Sequence, residues 1–170
     1  MNKIIETKLP DINLRMALEQ DVPIILDLIK GLAEYEKLSH EVVADETKLR
    51  QSLFGDFRFA EVILAEHKGR VVAFALFFHN YSTFLGQPGI YLEDLFVKPE
   101  QRGKGIGKLL FSYLGKLCIE RNCGRLEWAV LDWNQDAIDF YEKQGAVAMD
   151  DWTVFRITGK ELELLAAKHI

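Results

Sequence analysis

The chain is poor in cysteine: Cys118 and Cys123 are the only two in 170 residues, five positions apart, with no companion pair and no histidine spacing suited to zinc. That excludes a disulfide framework and points to a reduced, cytosolic setting. Cys118 falls on the apolar side of a helical stretch and reads as a small buried hydrophobe. Positive charge is not in surplus, with Lys plus Arg at 21 against Asp plus Glu at 26 and a net charge of −5. Neither a nucleic-acid face nor a polybasic membrane anchor is expected from that balance. Long hydrophobic runs are lacking too. The longest, Val71 to Phe78, is strand-sized and far short of a bilayer span. Met1 to Pro10 carries Lys3, Glu6 and Lys8 and no apolar run, so no signal peptide is read there. With four prolines, no repeat and no Pro/Ser-rich linker, nothing divides the chain, and residues 1–170 are expected to form one domain with its own core. His40, His67, His79 and His169 are scattered, so no metal is assigned. Ser82 and Ser112 lack the G-x-S-x-G context of a hydrolase nucleophile.

What is present is an alternation of strand and helix patterns. Asn13–Leu18 reads as a short strand. Asp21 then reads as an N-cap with Pro23 in the first turn, and Ile24, Ile25, Leu28, Ile29 and Leu32 follow at helical spacing to about Leu38. Asp45–Leu53 reads as a second helix. Glu61–Ala65 and Arg70–Phe78 read as strands joined through Lys68-Gly69, and Gly89–Val97 as a third. Gly105–Arg121 has one apolar helical face. Arg125–Val130 is a strand pattern, Gln135–Gln144 a helix stopped by Gly145, Trp152–Ile157 a late strand and Lys160–Lys168 a last helix. The order implies an α/β or α+β sheet flanked by helices.

One segment is chemically specific. Gln101-Arg102-Gly103-Lys104-Gly105-Ile106-Gly107-Lys108 follows a strand and opens a helix. Glycines at alternate positions let backbone amides approach a ligand closely, and the helix start adds unpaired N–H groups and a positive dipole end. Arg102, Lys104 and Lys108 add charge, so the segment is suited to cradling a pyrophosphate. It is no Walker A loop, because Leu109 follows Lys108, and no dinucleotide fingerprint, because Ile106 and Lys108 stand where the third glycine belongs.

Gln101–Gly107 resembles the acetyl-CoA loop of the GCN5-related N-acetyltransferases, with the pattern [QR]-x-x-G-x-[GA]. Tyr91–Val97 is similar to the strand that precedes that loop, and Trp133-Asn134-Gln135 through Gly145-Ala146 to the family's later Asn-to-Tyr helix. Leu32–Ser39, Tyr81–Phe84 and Val130–Gln135 resemble the thialysine branch of the diamine acetyltransferases more than the spermidine/spermine branch. The resemblance covers almost the whole chain. It implies a mixed central β-sheet splayed near its middle, flanked by helices, with acetyl-CoA in the splay, a bulge in the strand before the loop, and a homodimer.

Acetyl transfer to an amine needs a deprotonated nucleophile, a donor for the oxyanion and a proton for the leaving thiolate. By resemblance, Tyr141 takes the general-acid position, which a phenol suits because it stays protonated at neutral pH. Glu93, a charge in the otherwise apolar strand Ile90–Val97, is the candidate base through water and an attractor for the ammonium. Strict alternation puts Tyr91, Glu93, Leu95 and Val97 on one face and Leu92, Asp94 and Phe96 on the other, and Asp94 reads as structural. The resemblance further implies that the backbone of Leu95, Phe96 and Val97 pairs with the pantetheine arm. Asn134, Ala137, Phe140 and Lys143 join the loop residues on the cofactor side, with CoA as product. Tyr35, Glu36, Glu127, Trp128 and Ala129 match acceptor-side positions, where acidic and aromatic groups suit a cationic amine. Ser82 stands where polyamine enzymes carry an acid, Phe84 replaces a tryptophan, and Gly86–Gly89 makes a slightly longer loop; these departures favour a short amine such as thialysine or a diamine. The rival expectations are an acetyltransferase for protein or antibiotic amines and a catalytically silent acyl-CoA sensor.

Overall fold

The alternating apolar residues of β3 (Glu61–His67) and β4 (Arg70–Ser82) form an antiparallel hairpin. Its turn, Lys68-Gly69, has positive φ at both residues (51° and 75°), the geometry whose twist suits a two-residue hairpin. Around it the computed structural model, which describes residues 4–168, builds a six-stranded sheet in sequential order. β1 (Ile5–Glu6), β2 (Ile12–Met16), β3, β4 and β5 (Gln87–Val97) are antiparallel neighbours, and β6 (Leu126–Trp128) pairs parallel to β5. That last pairing covers only Ile90–Leu92 of β5, so from Glu93 onward the strand has no β6 partner. The sheet is thus mixed, and its strands part between β5 and the edge strand β6.

Two apolar clusters sandwich the sheet. On one face lie α1 (Val22–Tyr35) and α2 (Glu46–Phe54), where Val22, Ile25, Leu28, Leu49 and Leu53 pack against Val62, Leu64, Phe74 and Phe96. On the other lies α3 (Ile106–Glu120), where Ile106, Leu110, Leu114 and Leu117 pack against Leu14, Ile63, Ala75, Phe77, Ile90, Leu92 and Val97. Asp45 caps α2 by accepting the Lys48 N–H at 2.8 Å. Asp21 precedes α1 without capping it. Its carboxylate instead accepts the Leu18 N–H at 2.7 Å and pairs with Arg15 at 2.6 Å. Burial pushes the Asp21 carboxyl up, but Arg15 and the Leu18 amide outweigh that and hold it below its usual range.

The chain divides at Ala129/Val130 into two units. The second carries α4 (Gln135–Glu142) and α5 (Gly159–Ala167). Here one expectation fails. Residues 152–157 form no strand, and Val154 and Phe155 are 84% and 91% exposed. A strand is defined by the ladder it shares with a neighbour, and this unit supplies none. His169 lies outside the described residues.

Candidate active site

The alternation expected along β5 breaks at Glu93. Leu76 of β4 pairs with Asp94 and Phe77 pairs with Leu92, so Glu93 is the extra residue of a β-bulge. One inserted residue reverses the facing of everything after it. Ile90 and Leu92 pack toward α3 before the bulge, and Leu95 and Val97 do so after it. Leu92 therefore shares a face with Leu95 and Val97, contrary to strict alternation. Asp94 and Phe96 turn toward α1, and Glu93 is exposed.

The bulge gathers carboxylates. Burial, then the Glu93 charge, then the Glu36 charge push Asp94 up to about 7. Burial also raises Glu36, at the C-terminal end of α1. No hydrogen bond or ion pair joins Asp94 to another described residue. Glu36, Glu93 and Asp94 thus form one cluster of interacting carboxyl groups.

Beyond Val97 the chain makes a short 3-10 turn, Pro99–Gln101, and enters the glycine loop. Gly103 and Gly105 have φ of 74° and 80°, and a Cβ on Gly103 would meet nothing within 4 Å, so the backbone is bare where a ligand would come closest. No side chain caps α3; the first amide to find a backbone partner within the helix is that of Leu109, bonded to Gly105 O at 2.9 Å. The starting amides of α3 are thus available to an anion, beside exposed Lys104 and Lys108. Gln101 Oε1 accepts from Lys104 Nζ at 2.8 Å and lies 2.9 Å from His67 Nδ1. His67 is a loop support for which the sequence holds no signal. Arg102 points elsewhere: its Nε donates to Val97 O at 3.1 Å and its guanidinium lies 4.4 Å above the Tyr35 ring.

Other expected residues have visible occupations. Glu127 accepts from Asn80 Nδ2 at 2.6 Å and approaches Arg125 Nε at 2.8 Å. Gly89 is required beside them, since a Cβ there would lie 2.3 Å from Asn80 Oδ1. Trp128 packs edge-on against Phe111 of α3, and Ala129 is exposed. Ser82 is buried and accepts the Leu85 N–H at 3.2 Å, closing the β4–β5 turn. In the second unit, Asn134 caps α4 by accepting the Ala137 N–H at 3.4 Å, and Phe140 and Tyr141 meet edge-on with centroids 5.2 Å apart. Ala137, Phe140 and Tyr141 are half-buried, Lys143 is exposed, and Gly145 (φ 89°) ends the helix. Among the described residues no group of three or more His, Cys, Asp or Glu is placed to hold a metal ion.

The chain that builds this bulged strand and uncapped glycine-rich helix start is matched over residues 29–146 by the model of the acetyltransferase (GNAT) family. The chain belongs to that family. This GNAT protein is an acetyltransferase by that membership. It is 40% identical over 166 residues to a thialysine N-epsilon-acetyltransferase of Bos taurus, covering 91% of this chain and 97% of that one. It is 34% identical to L-ornithine N5-acetyltransferase NATA1 of Arabidopsis thaliana, covering 92% and 89%. Among solved structures, an integron cassette protein from the V. cholerae mobile metagenome superposes with a TM-score of 0.79 at 26% identity, covering 92% of this chain and 98% of that one. The GNAT match runs across the division at Ala129.

Proposed function

We propose that this GNAT protein moves an acetyl group from acetyl-CoA to a primary amine of a small cationic acceptor of the thialysine, ornithine or diamine type. The observation that carries the reading is the recess of Glu36, Glu93 and Asp94, whose mutual repulsion and burial call for a cation. Relatives named for thialysine and ornithine support the same class of acceptor.

Acetyl-CoA supplies the activated acetyl group. The residues present fit it: the amides at Gly103–Gly107, with Lys104 and Lys108, suit its phosphates, and among the described residues no strand pairs with the edge of Glu93–Val97 that faces away from β4. The backbone of Leu95, Phe96 and Val97 offers pairing groups along that edge. Glu93, exposed at the bulge, takes a proton from the ammonium through water, while Asp94 and Glu36 hold the cationic end. Tyr141 Oη carries the proton given to the departing thiolate, and the amine attacks directly in a ternary complex. Neither cysteine falls in these motifs: Cys118 is buried, with its thiol pushed up by burial. The reading also includes a single acetyltransferase domain over residues 1–170, a cytosolic setting and a homodimer, all as the family resemblance implies.

The test is CoA release across thialysine, lysine, ornithine, putrescine, 1,3-diaminopropane, spermidine, an aminoglycoside and a histone-tail peptide. Turnover is expected on a short diamine-type acceptor. Tyr141→Phe should lower kcat by about two orders of magnitude while acetyl-CoA still binds. Acetyl-CoA binding without turnover on any amine would favour the sensor alternative, and an unchanged kcat in Tyr141→Phe would remove that residue from the mechanism.

A further inference from the structure

Arg102 belongs to the anion loop by sequence, yet its side chain is committed to the other substrate's side. Its Nε donates to Val97 O at 3.1 Å, and its guanidinium carbon lies 4.4 Å from the Tyr35 ring centroid and 5.6 Å from that of Phe96. One side chain thereby ties the end of β5, the glycine loop and the last residue of α1. The same faces meet closely at Gly31, where a Cβ would lie 3.0 Å from the Phe96 ring. Past Tyr35 the helix stops: Lys37 turns to φ 63° and the Leu38 N–H bonds back to Ala33 O at 2.8 Å. Glu36, next to Tyr35 in this turn, acts electrostatically on Asp94. A cation at a helix C-terminus is favourably placed, and a planar guanidinium can stack on a ring while its Nε donates in the plane.

We propose that Arg102 is a positioning residue for the acceptor: it clamps the C-terminal turn of α1, with Tyr35 and Glu36, onto the glycine loop, so that amine affinity depends on a loop residue that does not touch the amine. The acceptor part rests on the reading of Glu36, Glu93 and Asp94 as the amine site. The clamp itself does not. Lysine would keep a charge for a phosphate but lose both the planar stack and the Nε bond, so the two roles separate under substitution.

The experiment compares Arg102→Ala, Arg102→Lys, Tyr35→Leu and the Arg102→Ala/Tyr35→Leu double variant. The readouts are steady-state kinetics for both substrates and amide hydrogen exchange over residues 32–38 in the ligand-free protein. Both Arg102 variants are expected to raise the amine KM about five- to tenfold with kcat within about twofold. Arg102→Lys should leave the acetyl-CoA KM near wild type. Tyr35→Leu should match Arg102→Ala, and the double variant should be no worse than either single one. The Glu36 and Leu38 amides should exchange faster in Arg102→Ala. A change confined to the acetyl-CoA KM, or unaltered exchange over 32–38, overturns the proposal. If the wild type turns over no amine, the acetyltransferase reading and the acceptor part both fail, and hydrogen exchange still decides the clamp.

Discussion

Asp94 is held in a place that disfavours its charge, and that has two opposite effects when the charge is removed. Asp94→Asn relieves the repulsion with Glu93 and Glu36 and the cost of burial, so the melting temperature should rise, by about 2–4 °C for each kcal/mol relieved. The same variant should raise the amine KM by about tenfold, because a buried charged partner for the ammonium is lost. Thermal melts and steady-state kinetics check the two halves. A variant neither stabilised nor impaired would show that Asp94 carries neither strain nor substrate. This residue also marks where the sequence stops being readable. The alternation put Asp94 with Phe96 and the resemblance implied a bulge in this strand, but neither located the bulge at Glu93 or aimed Asp94 toward α1. Glu127 is similar, since its pairing with Asn80 and Arg125 joins positions far apart in the chain. Glu93, in contrast, stood out as an unpartnered charge in an apolar run and is exposed at the bulge.

Helix α3 begins and continues on glycines that do different work. Gly105→Ala forces a left-handed φ of 80° on a residue with a Cβ, while the nearest atom, on Leu9, is an ordinary 3.6 Å away. The cost is conformational, about 1–2 kcal/mol, and acetyl-CoA affinity should fall with it. Gly115→Ala, in the interior of the same helix with nothing within 4 Å of the new Cβ, should stabilise by about 0.5–1 kcal/mol. Melting temperatures of the two variants should therefore move in opposite directions; movement in the same direction would contradict the backbone argument. Helices were the most legible elements, because Asp45, Asn134, Gly145 and the apolar spacing of α3 act within a turn or two of chain. Residues 152–157 show the converse. Their apolar pattern is that of a strand, but a strand needs a partner that local sequence does not encode.

For the whole molecule, Asp21 and Asp94 set opposing slopes of stability against pH. The folded-state value of Asp21 is depressed, so its contribution is present above about 3.8 and is lost as pH falls below that. That of Asp94 is raised to about 7, so the folded state binds more protons than the unfolded chain between about 3.8 and 7, and stability declines as pH rises through that window. The melting temperature should peak just above the ordinary carboxylate range and fall toward neutrality, and Asp94→Asn should flatten the fall. A profile that rises steadily to pH 7 would contradict the assignment. A sheet flanked by helices followed from the alternation of elements, whereas the strand order and the division at Ala129 have no signature in composition. If the carboxylates beside the bulge receive the amine as proposed, substrate capture is also a protonic event. Near neutrality Asp94 is about half protonated. An ammonium arriving there drives it to ionise and expels a proton to solvent, so the heat of binding should vary with the ionisation enthalpy of the buffer.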